Sequence, residues 1–224
     1  MMDRDLVSAA FPRLVDQARD RLEHSPACHD WDHTLRVLNN ARHLCRVEGA
    51  DLLVVEFAAV LHDVGRPAEL ADQGQTCHAH RGAELVHEIL PGLGITDPAF
   101  IEHVAACVRT HRFRNRTDDR PASLEARIVF DADKLDSIGA IGIGRSFHFA
   151  GRIGARVHNR ADEAQSSASY SREDSAYREF LVKLRHLHER MLTAEGRRMA
   201  ASRHRFMVAF FEQLNREVNG EDFA

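Results

Sequence analysis

Leu52-Leu53-Val54-Val55-Glu56-Phe57-Ala58-Ala59-Val60-Leu61-His62-Asp63 is the stretch on which the fold turns. It is apolar almost all round, which is the signature of a helix enclosed by others. His62 and Asp63 close it. A carboxylate in the last turn of a helix lies at the negative end of the helix dipole, where it is disfavoured. Burying it without a partner costs more still. A divalent cation removes both objections, so the end of the most apolar helix is also the first pointer to chemistry.

Working outward, almost every segment repeats at the helical period and none alternates as a strand. In residues 6–22, Leu6, Ala10, Leu14, Ala18 and Leu22 share a face. Asp32 is placed to cap a second helix that turns Leu35, Leu38, Ala41, Leu44 and Cys45 inward. Gly65 reads as a left-handed cap ending the central helix. Residues 82–90 form a helix that stops at Pro91, and Thr96-Asp97-Pro98 opens the next, with Pro98 in the first turn. Residues 114–120 are polar and read as a loop, and Pro121 starts a helix running through Asp136. Gly139, Gly142 and Gly144 then interrupt, with helix resuming near Phe147. Residues 162–175 are Ser-rich and charged, which predicts a flexible loop. Two long helices follow, over 176–194 and 197–218. With no internal repeat and no linker between two cores, the reading is one all-α domain over 1–224.

Composition narrows the function classes. The 224 residues are 44% hydrophobic and 29% charged, a balance that excludes a disordered or collagenous chain. No apolar run approaches the roughly 20 residues that span a bilayer. The charged opening Met1-Met2-Asp3-Arg4-Asp5 does not read as a signal peptide. A net charge of −4 argues against a protein that coats nucleic acid. Cys28, Cys45, Cys77 and Cys107 form no CxxC pair and read as reduced thiols of a cytoplasmic protein. The 15 histidines cluster near aspartates, which points toward metal chemistry.

Four positions concentrate that signal: His33, His62, Asp63 and Asp133. Ala126, Val129, Phe130 and Asp133 follow the i, i+3, i+4, i+7 spacing, so Asp133 lies on an inward stripe, where a carboxylate needs a cation or a dense set of donors. Asp131 shares a second apolar line with Leu124 and Ile128, and periodicity does not choose between the two. His33 lies in the first turn of its helix. Two histidines and two aspartates form a mixed N/O set suited to Mn, Fe, Ni, Co or Zn, with Mg also compatible. The glycines at 139, 142 and 144 do not form a phosphate loop, which follows a strand and opens a helix with Lys-Ser or Lys-Thr. They read as sites of close helix packing.

Together with their flanks, these residues resemble the HD-domain superfamily of metal-dependent phosphohydrolases. The similarity is carried by His29-Asp30-Trp31-Asp32-His33-Thr34-Leu35-Arg36-Val37, by Leu61-His62-Asp63-Val64-Gly65 and by Ala126-Arg127-Ile128-Val129-Phe130-Asp131-Ala132-Asp133-Lys134-Leu135. Ile138-Gly139-Ala140-Ile141-Gly142 and Thr193-Ala194-Glu195-Gly196-Arg197 look like the YedJ/YpgQ-like branch. The resemblance implies an HD-type helical bundle, with a metal-binding core over about 29–136 and a helical C-terminal part over about 137–219. It implies that His33, His62, Asp63 and Asp133 hold one divalent ion, and it favours Asp133 over Asp131. It also implies hydrolysis of a phosphoester or phosphoanhydride bond, and YpgQ-like members cleave nucleoside triphosphates to monophosphate and pyrophosphate.

On this reading Asp63 and Lys134 are the catalytic candidates, since a developing phosphate charge needs cations around it. Arg66 and Arg145 are further candidates for phosphate contact. His78-Ala79-His80-Arg81-Gly82-Ala83 has the spacing by which two-metal HD proteins bind a second ion, and His111 stands where a further ligand follows. Arg112 replaces the neighbouring histidine of those proteins, so His78 and His111 read as phosphate contacts, as ligands of a second, substrate-dependent ion, or as neither. The expected partner is a small phosphorylated molecule, expected to be a nucleotide, and neither a membrane nor a nucleic-acid polymer; a homodimer stays open. The alternatives are a phosphomonoesterase or phosphodiesterase, or a nucleotide-binding signalling domain without turnover.

Overall fold

The computed structural model describes residues 2–23, 30–112 and 120–221. Cys28, His29 and residues 114–119 of the expected polar loop lie outside them. The described residues form eleven α-helices, one 3-10 segment and no strand. None of these helices is long and apolar enough to cross a membrane. The chain divides between Asp133 and Lys134 into two compact units.

The first unit is organised around α3 (Leu52–Leu61), whose Val54, Val55 and residues 57–61 are buried. Three helices pack on it: α1 (Arg4–Leu22), α2 (Trp31–Glu48) and α6 (Pro98–Thr110). In α1 the buried stripe is Val7, Ala10, Leu14, Ala18 and Leu22. Leu6 is exposed, because Val7 sits i+3 from Ala10 and takes the inward position. The cap of α2 is Asp30 and not Asp32: its Oδ1 accepts the His33 backbone N–H at 3.0 Å. That bond fixes the first turn and buries the His33 side chain, while Leu35 turns out to solvent. Asp97 caps α6 by accepting from the Ala99 and Phe100 N–H groups, with Pro98 in the first turn, where its missing N–H costs nothing.

Short α4 (Arg66–Ala71) and α5 (His78–Gly92) follow α3, and α7 (Leu124–Leu135) carries the chain to the end of the unit. α5 is longer than its sequence suggests, starting at His78 and keeping Pro91 inside its last turn. Gly65 is no left-handed cap: its φ is −83°. A Cβ at Gly65 would lie 2.2 Å from the His78 carbonyl oxygen and 2.7 Å from the Gly82 nitrogen. Glycine is needed there so that the first turns of α5 can lie against the turn after α3, which carries His78 up to Asp63.

The second unit contains α8 (Gly139–Arg152), α9 (Ala161–Ser166), α10 (Ala176–Val182), a 3-10 segment (Leu184–Arg190) and α11 (Ala194–Asn219). α8 starts eight residues before the expected point. Gly142 lies inside it, where a Cβ would meet the Ser137 carbonyl oxygen at 2.3 Å, so this glycine permits close backbone approach and does not break the helix. Residues 162–175 are no loose loop. Side chains from outside the segment tie it down: Arg178 Nη1 donates to Asp174 Oδ1 at 2.9 Å, and Asn159 Nδ2 donates to the Glu173 carbonyl at 2.8 Å. Of the two long C-terminal helices expected, the first breaks at Lys183 (φ −142°, ψ −59°) and continues as the 3-10 segment. Leu184 and Leu187, three apart and both buried, match its three-residue turn. The second is α11, where Thr193 Oγ1 accepts the Gly196 N–H at 3.0 Å.

Candidate metal centre

Residues far apart in sequence converge where α2, α5, α6 and α7 surround the end of α3. His33, His62, Asp63, His78 and His111 are all fully buried, and the Asp133 side chain is nearly so. They form two groups. In the first, His33 Nε2 lies 3.2 Å from His62 Nε2 and 3.5 Å from Asp133 Oδ1. Asp63 Oδ2 stands 3.7 Å from His33 Nε2 and 3.5 Å from His62 Nε2. In the second, Asp63 Oδ1 lies 3.5 Å from His78 Nε2 and 3.6 Å from His111 Nε2, and those two nitrogens are 3.2 Å apart. The two oxygens of Asp63 thus serve different groups.

Tautomers follow from the partners of the other ring nitrogens. His62 Nδ1–H donates to the Ala59 carbonyl at 2.8 Å, and His111 Nδ1–H to the Val108 carbonyl at 2.6 Å. A carbonyl only accepts, so each neutral ring turns an Nε2 lone pair into the cluster. His78 Nδ1–H donates to Glu69 Oε2 at 2.8 Å, with the same result. Burial pushes the His78 imidazole down to about 4, against the opposing pull of Glu69 and Asp63. Burial also lowers His111. Both rings are therefore neutral at neutral pH.

This donor set fits a divalent cation. Donors bound at about 2.1 Å to one ion stand about 3.0 Å apart at right angles and about 3.4 Å apart at the tetrahedral angle. The separations within both groups lie close to that range. Neutral imidazole nitrogens and carboxylate oxygens suit Mn, Fe, Co, Ni or Zn. The Nδ1–H bonds to carbonyls and a carboxylate are the outer contacts that orient a metal-binding histidine.

The remaining candidates divide. Arg66 reaches the cluster, with Nε donating to Asp63 Oδ1 at 2.9 Å. Asp131 is buried but belongs to neither group. Lys134, next in the chain after Asp133, is buried in the last turn of α7. Arg145 is held by Asp136, donating to its carboxylate at 2.8 Å and to its carbonyl at 3.0 Å. One residue emerges that the motifs do not mark. Glu69 bonds His78, Arg66 and Arg112, and Arg112 Nη1 also donates to Cys77 Sγ at 3.2 Å. Burial opposes ionisation of Glu69, but the His78 bond and the neighbouring positive charges outweigh it and hold the carboxyl at about 2.

Comparison with known proteins gives the family. The HD-domain family model matches residues 30–138. Bacillus subtilis YpgQ is 35% identical over 194 residues, 87% of this chain and 86% of that protein. The chain belongs to the HD-domain family. It is accordingly an HD-superfamily metal-dependent phosphohydrolase. Two solved structures of the superfamily extend the likeness. YpgQ in complex with ADP has a TM-score of 0.73 and 30% identity, covering 97% of this chain and 99% of that one. An HD-superfamily hydrolase from Bacillus thuringiensis has a TM-score of 0.72 and 29% identity, covering 95% and 98%. In this HD protein the eponymous pair is His62-Asp63: His62 stands in the first group, and Asp63 reaches both.

Proposed function

We propose that this HD protein hydrolyses nucleoside triphosphates to the monophosphate and pyrophosphate, with His33, His62, Asp63 and Asp133 holding a divalent cation. The observation that carries this reading is the buried convergence of two imidazole nitrogens and two carboxylates, in a chain similar over nearly its whole length to a protein solved with ADP. When bound, the cation supplies Lewis acidity that makes a water nucleophilic near neutral pH and polarises a phosphoryl oxygen. The chain supplies the rest. Asp63 is the carboxylate common to both groups. His62 and His33 turn their Nε2 atoms toward each other and toward Asp63. Lys134 and Arg66 provide positive charge for a phosphate. His78 and His111, with Asp63 Oδ1, take up a second ion only once a phosphate completes its shell, because two neutral rings and a shared carboxylate offer it little charge.

A nucleotide panel tests the reading. Nucleoside triphosphates, diphosphates, monophosphates and a cyclic nucleotide are incubated with Mn, Mg, Ni, Co or Zn, and pyrophosphate and orthophosphate release are measured separately. The expected result is pyrophosphate from triphosphates. Orthophosphate alone indicates a phosphomonoesterase, cleavage of the cyclic nucleotide a phosphodiesterase, and binding without release a signalling module; each of these would replace the proposal.

A further inference from the structure

Glu69 stands on α4, away from every motif that marks the site, yet its side chain touches the second group from outside. Its Oε2 accepts from His78 Nδ1 at 2.8 Å and from Arg66 Nη1 at 2.8 Å, while its Oε1 pairs with Arg112 Nη2 at 3.1 Å. The side chain is 11% exposed, so these contacts are poorly screened by water. Two consequences follow.

The first is orientation. An imidazole whose Nδ1–H is taken by a carboxylate has only Nε2 left as a donor atom, and here that atom lies 3.5 Å from Asp63 Oδ1 and 3.2 Å from His111 Nε2. The second is charge. Arg66 sits on Asp63 Oδ1, and Arg112 follows His111 directly, so two guanidinium groups flank a trio whose own negative charge is the single carboxylate of Asp63. Two positive charges at that distance oppose a cation unless an anion offsets them, and Glu69 contacts both.

We propose that Glu69 is a positioning residue for a second cation at Asp63, His78 and His111: it holds His78 with Nε2 turned toward Asp63 and offsets the charge of Arg66 and Arg112. This rests on the reading that the second group takes up an ion when phosphate is present. Glu69 touches neither the ion nor the substrate, and acts through His78 and the two arginines. The Glu69→Gln change separates its two effects, because the amide oxygen still accepts from His78 while the charge is lost. Glu69→Ala removes both.

The test is a titration of metal-free protein with Mn2+ in the presence of α,β-methylene-ATP, following free Mn2+ by electron paramagnetic resonance. Wild type should bind one ion tightly and a second more weakly. Glu69→Gln should leave the tight ion unchanged and weaken the second by about 10-fold, and Glu69→Ala by about 100-fold, the range seen when an outer contact of a metal ligand is removed. Equal second-ion affinity in all three proteins would overturn the role of Glu69 and leave the two-ion reading intact. A wild type that binds a single ion would overturn the two-ion reading and the Glu69 role with it. Nitrogen-15 spectra of the histidine rings in metal-free protein give an independent check, with His78 assigned by its loss in His78→Gln. Wild type should show His78 as the Nδ1–H tautomer and Glu69→Ala a mixture. An unchanged tautomer in a folded Glu69→Ala protein would remove the positioning argument.

Discussion

Asp63→Ala should abolish turnover, and His62→Ala should do the same, while both proteins stay helical and lose bound metal. The two oxygens of Asp63 reach both groups of imidazoles, so its removal strips a ligand from each. His62 would supply a single ligand, an Nε2 lone pair whose direction the Ala59 carbonyl fixes. Loss of either ligand disturbs the ion on which the nucleophilic water depends, which is a larger effect than loss of one contact to substrate. Pyrophosphate release at saturating metal, ion content and far-ultraviolet circular dichroism together read the outcome. Wild-type activity in either variant at saturating metal would show that the ligand set is assigned wrongly.

Lys134→Ala should lower kcat/KM by one to three orders of magnitude, roughly the scale of one preorganised electrostatic contact to a developing phosphate charge. The ammonium is buried directly after Asp133, so it acts in a medium that screens it weakly. Metal content should hardly change, because Lys134 is not a ligand, and this separates it from Asp63. The check is steady-state kinetics on the triphosphate that the panel identifies, beside elemental analysis of the same preparation. A loss smaller than about threefold would return Lys134 to a structural role.

The parts of the fold that sequence exposes are those fixed by local chemistry. An apolar run such as 52–61 has one stable solution, a surrounded helix, and Asp97-Pro98 fixes a start by its own cap and ring. Single-residue rotations are less legible, because Leu6 and Val7, or Asp30 and Asp32, are chemically interchangeable at neighbouring positions. Packing then selects Val7 and Asp30. The break at Lys183 is set by where Leu184 and Leu187 find cover, and helical propensity does not record it. Gly65 shows the same limit: a glycine after a helix signals a left-handed cap, whereas the backbone of α5 passing at van der Waals distance is a tertiary fact.

The candidate site divides along similar lines. His33, His62, Asp63 and Asp133 are visible because polar residues on apolar helix faces are costly and therefore conspicuous. Glu69 gives no such signal. It lies on a short polar helix, three residues after Arg66 in an ordinary ion-pair spacing, and its bonds to His78 and Arg112 arise only because α4 is laid beside the start of α5 and the end of α6. Arg145 shows the converse. Its position beyond the glycines suggests a phosphate contact, yet Asp136, whose role as its partner the spacing does not reveal, holds the guanidinium.

Elemental analysis of extensively dialysed protein, run in parallel with an assay of the same sample before and after chelation, tests the central claim most directly. The account predicts about one divalent ion per chain in wild type, loss of that ion in His33→Ala, and loss of hydrolysis on chelation that returns when Mn is restored. On the proposed assignment the first group would hold that ion, because it offers two imidazoles and two carboxylates, against two imidazoles and the shared Asp63 in the second. Two ions per chain at rest, falling to one in His78→Ala, would contradict the resting one-ion state. Wild-type protein that holds no ion and hydrolyses at an undiminished rate after chelation would contradict the account as a whole.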